Sequence, residues 1–156
     1  MLKIKIIVVD RTRSSFLKQG ESFYLKRLRR YARAEIGVVK PAGIRKGRPT
    51  KEILAIEGDA IAKRLHPRDY VIGLDRLGKM WDSEGLAARI ETLSTTQDRL
   101  VFITGGPLGL SKDLLDGVHE IVSLSRLTLT HEMSRLLLLE QLYRAFTIIK
   151  KESYHK

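Results

Sequence analysis

The chain has 156 residues, a formal net charge of +11 and no cysteine; 43% of its residues are hydrophobic and 30% are charged. This length suits a single domain that needs no disulfide or metal to stabilise its core, and the missing thiols exclude disulfide frameworks, thiolate zinc sites and cysteine nucleophiles. No apolar run approaches the roughly 20 residues of a membrane span, and the N-terminal residues are typical of a strand rather than of a signal peptide. We therefore expect one cytoplasmic domain over residues 1–156, with no membrane partner.

The positive charge is concentrated in the first third of the chain. The first 50 residues contain 14 Lys and Arg against three Asp and Glu, whereas the remaining residues contain 15 of each kind. Clustered cations bind polyanions through counterion release, so this distribution favours a nucleic-acid partner. A basic surface that only aids solubility has the same composition.

Strand and helix signals alternate along the chain. Short apolar or β-branched runs predict strands at 2–9, 34–39, 69–75, 99–104 and 120–125. Amphipathic spacing and capping residues predict helices at 14–33, 50–65 with Thr50 as its N-cap, 83–93, a short helix capped by Ser111, and 131–151. Segments 40–49 and 76–82 are predicted to be loops. This alternation predicts an α/β fold with helices packed on a largely parallel sheet.

Candidate ligand loops follow three of the predicted strands. In open α/β sheets, ligands bind beyond the carboxyl ends of the strands, and the chain leaves such ends after Leu74, at 105–110 and at 124–130. Gly105 and Gly106 permit a ligand to approach the backbone, although a tight strand-to-helix turn has the same signature. The spacings GxxxxGK[ST], GxGxxG and GxSxG are absent, and the four histidines are scattered, so we predict neither a phosphate loop nor a metal site.

The C-terminal third contains the remaining candidates. His131 begins the last helix beside the third loop, either as a functional residue or as a helix end that faces water. The last helix is apolar over more than half its circumference, which favours a symmetric dimer in which one face covers the sheet and the other meets a second subunit; a fully buried central helix has the same pattern. The tail at 150–156 is either a frayed end or, through Tyr154, His155 and Lys156, a clamp for an unpaired RNA base.

Four motifs in order carry a resemblance to a known family. They are Gly73-Leu-Asp-x-x-Gly-Lys79, Ile103-x-Gly-Gly-Pro-x-Gly-Leu-Ser111, Ser123-Leu-Ser-x-Leu-Thr-Leu-x-His131, and Glu140-Gln-Leu-Tyr-Arg-Ala-Phe146 with the final Tyr154-His155-Lys156. Over essentially its whole length the chain resembles the small SPOUT methyltransferases that modify pseudouridine in large-subunit ribosomal RNA. The resemblance implies a homodimer and a SPOUT-type α/β knot, a parallel-rich sheet flanked by helices with a C-terminal trefoil knot. General rules of chain topology alone predict an unknotted doubly wound sheet.

The same resemblance implies a cofactor, a reaction and a set of cofactor contacts, to which we add a hypothesis for the catalytic and RNA-binding residues. It implies methyl transfer from S-adenosylmethionine to N3 of a pseudouridine in the 23S rRNA of the ribosome. Cofactor contacts are expected at Leu74, Gly105, Leu124, Ser125, Arg126, Leu127, Thr128 and Leu129, with only the backbone of Arg126 involved. His131, Tyr154 and His155 are expected to orient the base or assist its deprotonation. RNA contacts are expected at Lys26, Arg27, Arg29, Arg30, Arg45, Lys46, Arg48, Arg144 and Lys156.

One position departs from the family pattern, which usually has proline immediately before the histidine. Here that residue is Thr130, whose hydroxyl can cap the helix instead. Two other functions remain open, a non-enzymatic RNA-binding or ribosome-associated factor and a SPOUT enzyme acting on another RNA such as transfer RNA. Binding of S-adenosylmethionine separates the first of these from a methyltransferase.

Overall fold

The computed structural model describes residues 1–43 and 45–156, so that Ile44 of the predicted loop at 40–49 lies outside the described residues. The strands are β1 (Lys3–Val9), β2 (Arg33–Val39), β3 (Tyr70–Met80), β4 (Arg99–Ile103) and β5 (Glu120–Ser123). The helices are α1 (Ser15–Leu28), α2 (Thr50–Ala62), α3 (Ser83–Thr96), α4 (Lys112–Asp116) and α5 (His131–Ile149). The five strands form one parallel sheet in the order β2-β1-β4-β3-β5. The predicted α/β class and parallel sheet are therefore confirmed.

Alternate residues of the central strands supply two separate cores. In β1, Ile4, Ile6 and Val8 face a core shared with α1, α3 and α5, whereas Ile7 and Val9 face a core covered by α2 and α4. The helix α5 lies between α1 and α3, and each of its residues is buried or half-buried. A central position therefore accounts for much of its apolar surface. No helix among the described residues is long and apolar enough to cross a membrane.

Several predicted boundaries are wrong. The helix predicted at 14–33 ends at Leu28, whose carbonyl accepts the N–H groups of Tyr31 and Ala32 at 3.0 and 3.1 Å, and Arg33 already pairs with Lys3 in the sheet. The second helix ends at Ala62 rather than at 65, and its N-cap is Pro49 rather than the predicted Thr50. Smaller shifts place the end of α3 at 96 rather than 93, of β5 at 123 rather than 125, and of α5 at 149 rather than 151.

The predicted loop at 76–82 is mostly part of β3, which continues to Met80. Leu74 and Lys79 both pair with Val122 of β5, so residues 75–78 form an excursion between two paired segments of one strand. Gly78 makes this excursion possible, because a Cβ there would lie 2.7 Å from the carbonyl carbon of Ile121. Asp75 and Arg76 of this excursion line the pocket described below.

Because all strands are parallel, their carboxyl ends share one edge of the sheet, here called the carboxyl edge, and their amino ends share the opposite amino edge. Helices α1 and α5 each follow a strand, start at the carboxyl edge and return to the amino edge. Residues beyond the two helices meet there, since the Tyr31 hydroxyl donates to Glu152 Oε2 at 2.5 Å. The strand order does not determine how the C-terminal segment threads, so the trefoil knot stays a prediction.

Candidate functional site

A pocket of about 320 Å³ lies at the carboxyl edge, where the three predicted ligand loops converge. Its walls come from the β3 excursion, the turn after β4 and the segment between β5 and α5. They include seven of the eight expected cofactor contacts, namely Leu74, Gly105, Leu124, Ser125, Leu127, Thr128 and Leu129. His131 and Ser134 of α5 line the same pocket. The size and mixed lining suit a small organic ligand.

The eighth expected contact, Arg126, does not line the pocket. Its guanidinium instead donates to the carbonyl of Arg76, and Arg76 Nη1 reaches the carbonyl of Arg126 at 3.5 Å. This exchange ties the β3 excursion to the segment after β5. The two loops are therefore fixed to each other at the rim.

The glycines after β4 are needed for a tight turn. A Cβ on Gly105 would lie 2.1 Å from the carbonyl oxygen of Gly109, and Gly109 has a φ of +81° that favours glycine. Gly106 and Gly109 also form an antiparallel bridge. The close approach of Gly109 explains why residue 105 is glycine. Residues 105–109 of this turn line the pocket.

Hydrogen bonds between residues close in sequence order the segment between β5 and α5. Ser123 Oγ donates to the carbonyl of Ser125 at 3.0 Å, and Ser125 Oγ accepts the N–H of Leu127 at 3.0 Å. Thr130 Oγ1 accepts the N–H of Met133 at 3.2 Å as the N-cap of α5. The prediction that Thr130 caps this helix is therefore confirmed.

His131 is the first residue of α5 and is half-buried against the pocket. Burial lowers the pKa of its imidazole below 6.5, and the Arg135 cation lowers it further. Glu132 Oε2 lies 4.0 Å from His131 Nε2, but Glu132 Oε1 is held by the N–H groups of Arg13 and Ser14 at 3.1 and 3.0 Å. The imidazole is therefore neutral at neutral pH and can accept a proton.

A buried arginine that we did not predict supports this end of α5. Arg135 is 1% exposed, and its Nη2 donates to the carbonyl of Val9 at 2.5 Å. Its Nη1 donates to Thr12 Oγ1 at 3.0 Å, and Thr12 in turn donates to the buried Glu21 at 2.6 Å. The sequence offered one signal for its burial, which is that Arg135 directly precedes four leucines in the predicted last helix. Its partners could not be found from spacing, because they follow the first strand.

The tail folds back on the other end of α5, so a frayed end is wrong. The Tyr154 hydroxyl donates to Glu140 Oε1 at 3.0 Å, and Arg144 donates to the same carboxylate at 3.1 and 2.5 Å. The Arg144 guanidinium carbon also lies 4.6 Å from the centre of the Tyr154 ring. His155 lies between Arg144 Nη1 and Glu84 Oε1, at 3.3 Å from each. We call these five residues the tail cluster.

The three expected catalytic residues are therefore not brought together within one chain. The tail cluster is held at Glu140 and Arg144, which lie about 14–20 Å along α5 from His131 at 1.5 Å per residue. His131 belongs to the carboxyl edge, whereas Tyr154 and His155 belong to the amino-edge half of the helix.

The expected RNA-binding cations are divided in the same way. Arg45 and Lys46 are exposed in the segment after β2, at the carboxyl edge, and Arg48 there donates to the carbonyl of Gly43 at 2.8 Å. The remaining cations of the set lie toward the amino edge, at the end of α1 and near the tail: Lys26, Arg27, Arg29, Arg30, Arg144 and Lys156.

Several cations at the amino edge contact an aromatic ring or donate a hydrogen bond to a backbone carbonyl. The Arg27 guanidinium carbon lies 3.6 Å from the centre of the Phe23 ring, and that of Arg30 lies 5.7 Å from the centre of the Tyr31 ring. Arg29 Nε donates to the carbonyl of Ala34 at 3.1 Å. Among the described residues, no group of three His, Asp or Glu side chains is placed to hold a metal.

Comparison with known proteins identifies the family. The family described as predicted SPOUT methyltransferases matches residues 2–155. The chain belongs to the SPOUT methyltransferase family. It is 38% identical over 160 residues to the "Ribosomal RNA large subunit methyltransferase H" of Desulforamulus reducens, with both chains covered completely. It is also 41% identical to the protein of the same name from Halothermothrix orenii, over 99% of this chain and 100% of the relative.

The fold is shared with more distant solved structures. A probable methyltransferase from Bordetella pertussis Tohama I superposes with a TM-score of 0.58 at 16% identity, covering 92% of this chain and 96% of that one. Membership of the SPOUT family makes the protein a methyltransferase.

Proposed function

We propose that this protein transfers a methyl group from S-adenosylmethionine to N3 of a pseudouridine in the 23S rRNA of the ribosome, in the cytoplasm, as one SPOUT domain over residues 1–156. The observation that carries the proposal is the convergence of three loops on one pocket beside His131. The names of the full-length relatives support ribosomal RNA as the substrate class.

The pocket lining fits S-adenosylmethionine in size and chemistry. Leu74, Leu124 and Leu129 offer apolar walls for the adenine ring, and the backbone of the ordered segment after β5 offers donors and acceptors for its polar edge. The folded-back turn at Gly105 adds further backbone groups. When bound, the sulfonium supplies a methyl group that is already activated for transfer.

The protein then has to align the attacking nitrogen and remove its proton. We assign proton acceptance to His131, because its imidazole is neutral, half-buried and beside the pocket. As N3 of the base gains the methyl group, with S-adenosylhomocysteine as the leaving group, the N3 proton would pass to an imidazole nitrogen of His131 and then to water. The Arg135 and Glu132 contacts hold the first turn of α5, and with it His131, against the end of β1.

The tail cluster is assigned to the active site of a partner subunit. It lies too far from His131 in the same chain to share one base, but in a homodimer the amino edge of one protomer can lie against the carboxyl edge of its partner. Tyr154, His155 and Lys156 would then reach the pocket of the other subunit together with Arg144. The exposed rings of Phe16 and Phe23 on α1, 69% and 47% exposed, support burial against a second copy.

The RNA would be held by cations from both subunits in this arrangement. Arg45 and Lys46 come from the carboxyl edge of one protomer, while the end of α1 with Lys26 and Arg30 comes from the other. Phosphate contacts of this kind position an RNA without reading its sequence. The choice of nucleotide is then made where the base enters the pocket.

Methyl transfer to defined substrates tests the proposal. Labelled S-adenosylmethionine is offered with assembled ribosomes, isolated large subunits or naked rRNA from a strain that lacks the endogenous activity, and the digested nucleosides are identified by mass. We expect label in methylpseudouridine. Label in another nucleoside, or in transfer RNA, would contradict the assigned target, and no transfer together with no cofactor binding would favour an RNA-binding factor.

A further inference from the structure

One hydroxyl in the carboxyl-edge pocket has no hydrogen-bond partner. Thr104 lines the pocket and is 3% exposed, and its Oγ1 is buried without a partner among the described residues. The other hydroxyls of the pocket are accounted for. Ser125 Oγ accepts from Leu127, Ser134 Oγ donates to the carbonyl of Thr130 at 3.1 Å, and Thr128 is exposed to water.

The position of Thr104 makes this isolated hydroxyl unusual. It directly follows β4, in which the buried side chains of Leu100 and Phe102 face the α5 side of the sheet. Alternation along the strand places the Thr104 side chain on that same side, where His131 and Ser134 line the pocket. Its backbone N–H is fixed to the carbonyl of Ile7 at 3.0 Å, so the side chain is held at the floor of the pocket.

Buried polar groups are nearly always hydrogen-bonded, and an unpaired one is costly. At this position valine would have the same shape and carry no polar atom. An unpaired threonine hydroxyl on a residue that lines a ligand pocket is explained if the ligand supplies its partner.

We propose that Thr104 Oγ1 forms a direct hydrogen bond with the molecule bound in this pocket and thereby contributes to its affinity. The identity of that molecule as S-adenosylmethionine rests on the proposed function. A hydroxyl can donate or accept, so it can pair with a polar group of the adenosine or of the amino-acid part. Thr104 is therefore a cofactor-contacting residue in addition to those expected from the family resemblance.

Substitution by valine tests this assignment because it predicts opposite changes in stability and affinity. In T104V the unpaired hydroxyl is removed, so the ligand-free protein should unfold at the same or a higher temperature. The dissociation constants for S-adenosylmethionine and S-adenosylhomocysteine, measured by calorimetry, should rise by about threefold to tenfold, the effect of one hydrogen bond. T104S keeps a hydroxyl and should bind within about twofold of wild type by the same reasoning.

A second buried threonine supplies the matched control. Thr147 is 0% exposed, but its Oγ1 donates to the carbonyl of Arg144 at 2.6 Å. T147V should therefore lower the unfolding temperature of the ligand-free protein and leave both dissociation constants unchanged.

Two results would overturn the assignment of Thr104. One is equal affinity of wild type and T104V for both ligands. The other is a lower unfolding temperature of ligand-free T104V, because the hydroxyl would then have a partner within the protein. Failure of the wild-type protein to bind either ligand would instead overturn the proposed function, and with it the ligand named for Thr104.

Discussion

The two edges of the sheet hold different parts of the candidate site. The carboxyl edge has a defined pocket, a neutral imidazole and loops tied to each other, whereas the amino edge has exposed cations and a tail bound to the outside of α5. Both edges carry exposed cations, but the pocket lies at the carboxyl edge and the aromatic ring of Tyr154 lies in the tail cluster near the amino edge. Under the proposed function a complete site combines the carboxyl edge of one protomer with the amino edge of its partner, and the predictions below compare the two edges.

The largest expected effect concerns the buried cation at the carboxyl edge. In R135M the carbonyl of Val9 and the Thr12–Glu21 pair lose their buried donor, and the free energy of unfolding should fall by about 3 kcal/mol. Arg89 at the amino edge is the matched control, because it pairs with Glu120 but its side chain is 32% exposed. R89M should cost about 1 kcal/mol or less. Denaturation in urea compares the two variants, and equal losses would show that the edges do not differ in this way.

The next effect concerns catalysis at His131. H131Q should lower kcat by about 100-fold, the usual contribution of a positioned general base, while the affinity for S-adenosylmethionine is retained. Because the pKa of His131 is lowered from 6.5, the reactive neutral form persists above that depressed pKa and is lost as the pH falls through it. The acid limb of kcat/KM should therefore lie below pH 6.5 in wild type and be absent in H131Q. A limb that is unchanged in the variant would remove His131 from proton transfer.

How far the sequence predicts this site differs between the edges. The three ligand loops were predictable, because parallel strands align their carboxyl ends and the loops after β3, β4 and β5 must then meet. The separation of His131 from Tyr154 also follows from the helix predicted over 131–151, because 1.5 Å per residue places its ends about 30 Å apart. The contacts of Tyr154 with Glu140 and of His155 with Glu84 were not predictable, since they depend on how the tail folds back. The β3 excursion was also missed, because Asp75 and Gly78 suggest a loop and the pairing of Lys79 with Val122 depends on β5. The role of Arg135 was not predictable either, because its partners Val9 and Thr12 lie more than 120 residues away in the sequence.

Mixed dimers test whether the edges cooperate across subunits. H131Q changes the pocket, and Y154A changes the tail cluster, so each homodimer should be nearly inactive. After co-expression or subunit exchange, heterodimers would contain one intact composite site, and activity should recover to about a quarter of wild type for random pairing in a twofold dimer. No recovery, with heterodimers verified by mass spectrometry, would mean that both residues act within one chain.

The basic groups of the two edges should contribute similarly to RNA affinity. The double variants R45A/K46A and K26A/R30A should each weaken binding of rRNA and reduce the slope of log K against log salt by about 0.7–0.9 for each phosphate that the variant no longer neutralises. Lys63 is an exposed lysine after α2 and outside both groups, so K63A serves as the control with an unchanged slope. An effect confined to one double variant would restrict the RNA path to that edge.

The smallest expected effect concerns two residues with positive φ, one at each edge. Lys151 has a φ of 55° and follows the cap of α5; its N–H donates to the carbonyl of Ile148 at 3.0 Å, and the next N–H donates to that of Thr147 at 2.8 Å. This is the Schellman arrangement, in which glycine is favoured at the position of Lys151, so K151G should stabilise the protein by about 1 kcal/mol. Asp10 has a φ of 64°, but its carboxylate accepts the N–H of Arg11 at 2.9 Å and Arg13 Nε at 3.0 Å.

D10G would relieve the same strain and lose both of these hydrogen bonds, so its gain should be smaller than that of K151G or absent. Urea denaturation at equal protein concentration compares the variants. A larger gain for D10G would mean that the loop after β1 is strained beyond what its hydrogen bonds offset. That result would make the β1–α1 loop, which Arg135 holds against the start of α5, a source of strain beside His131.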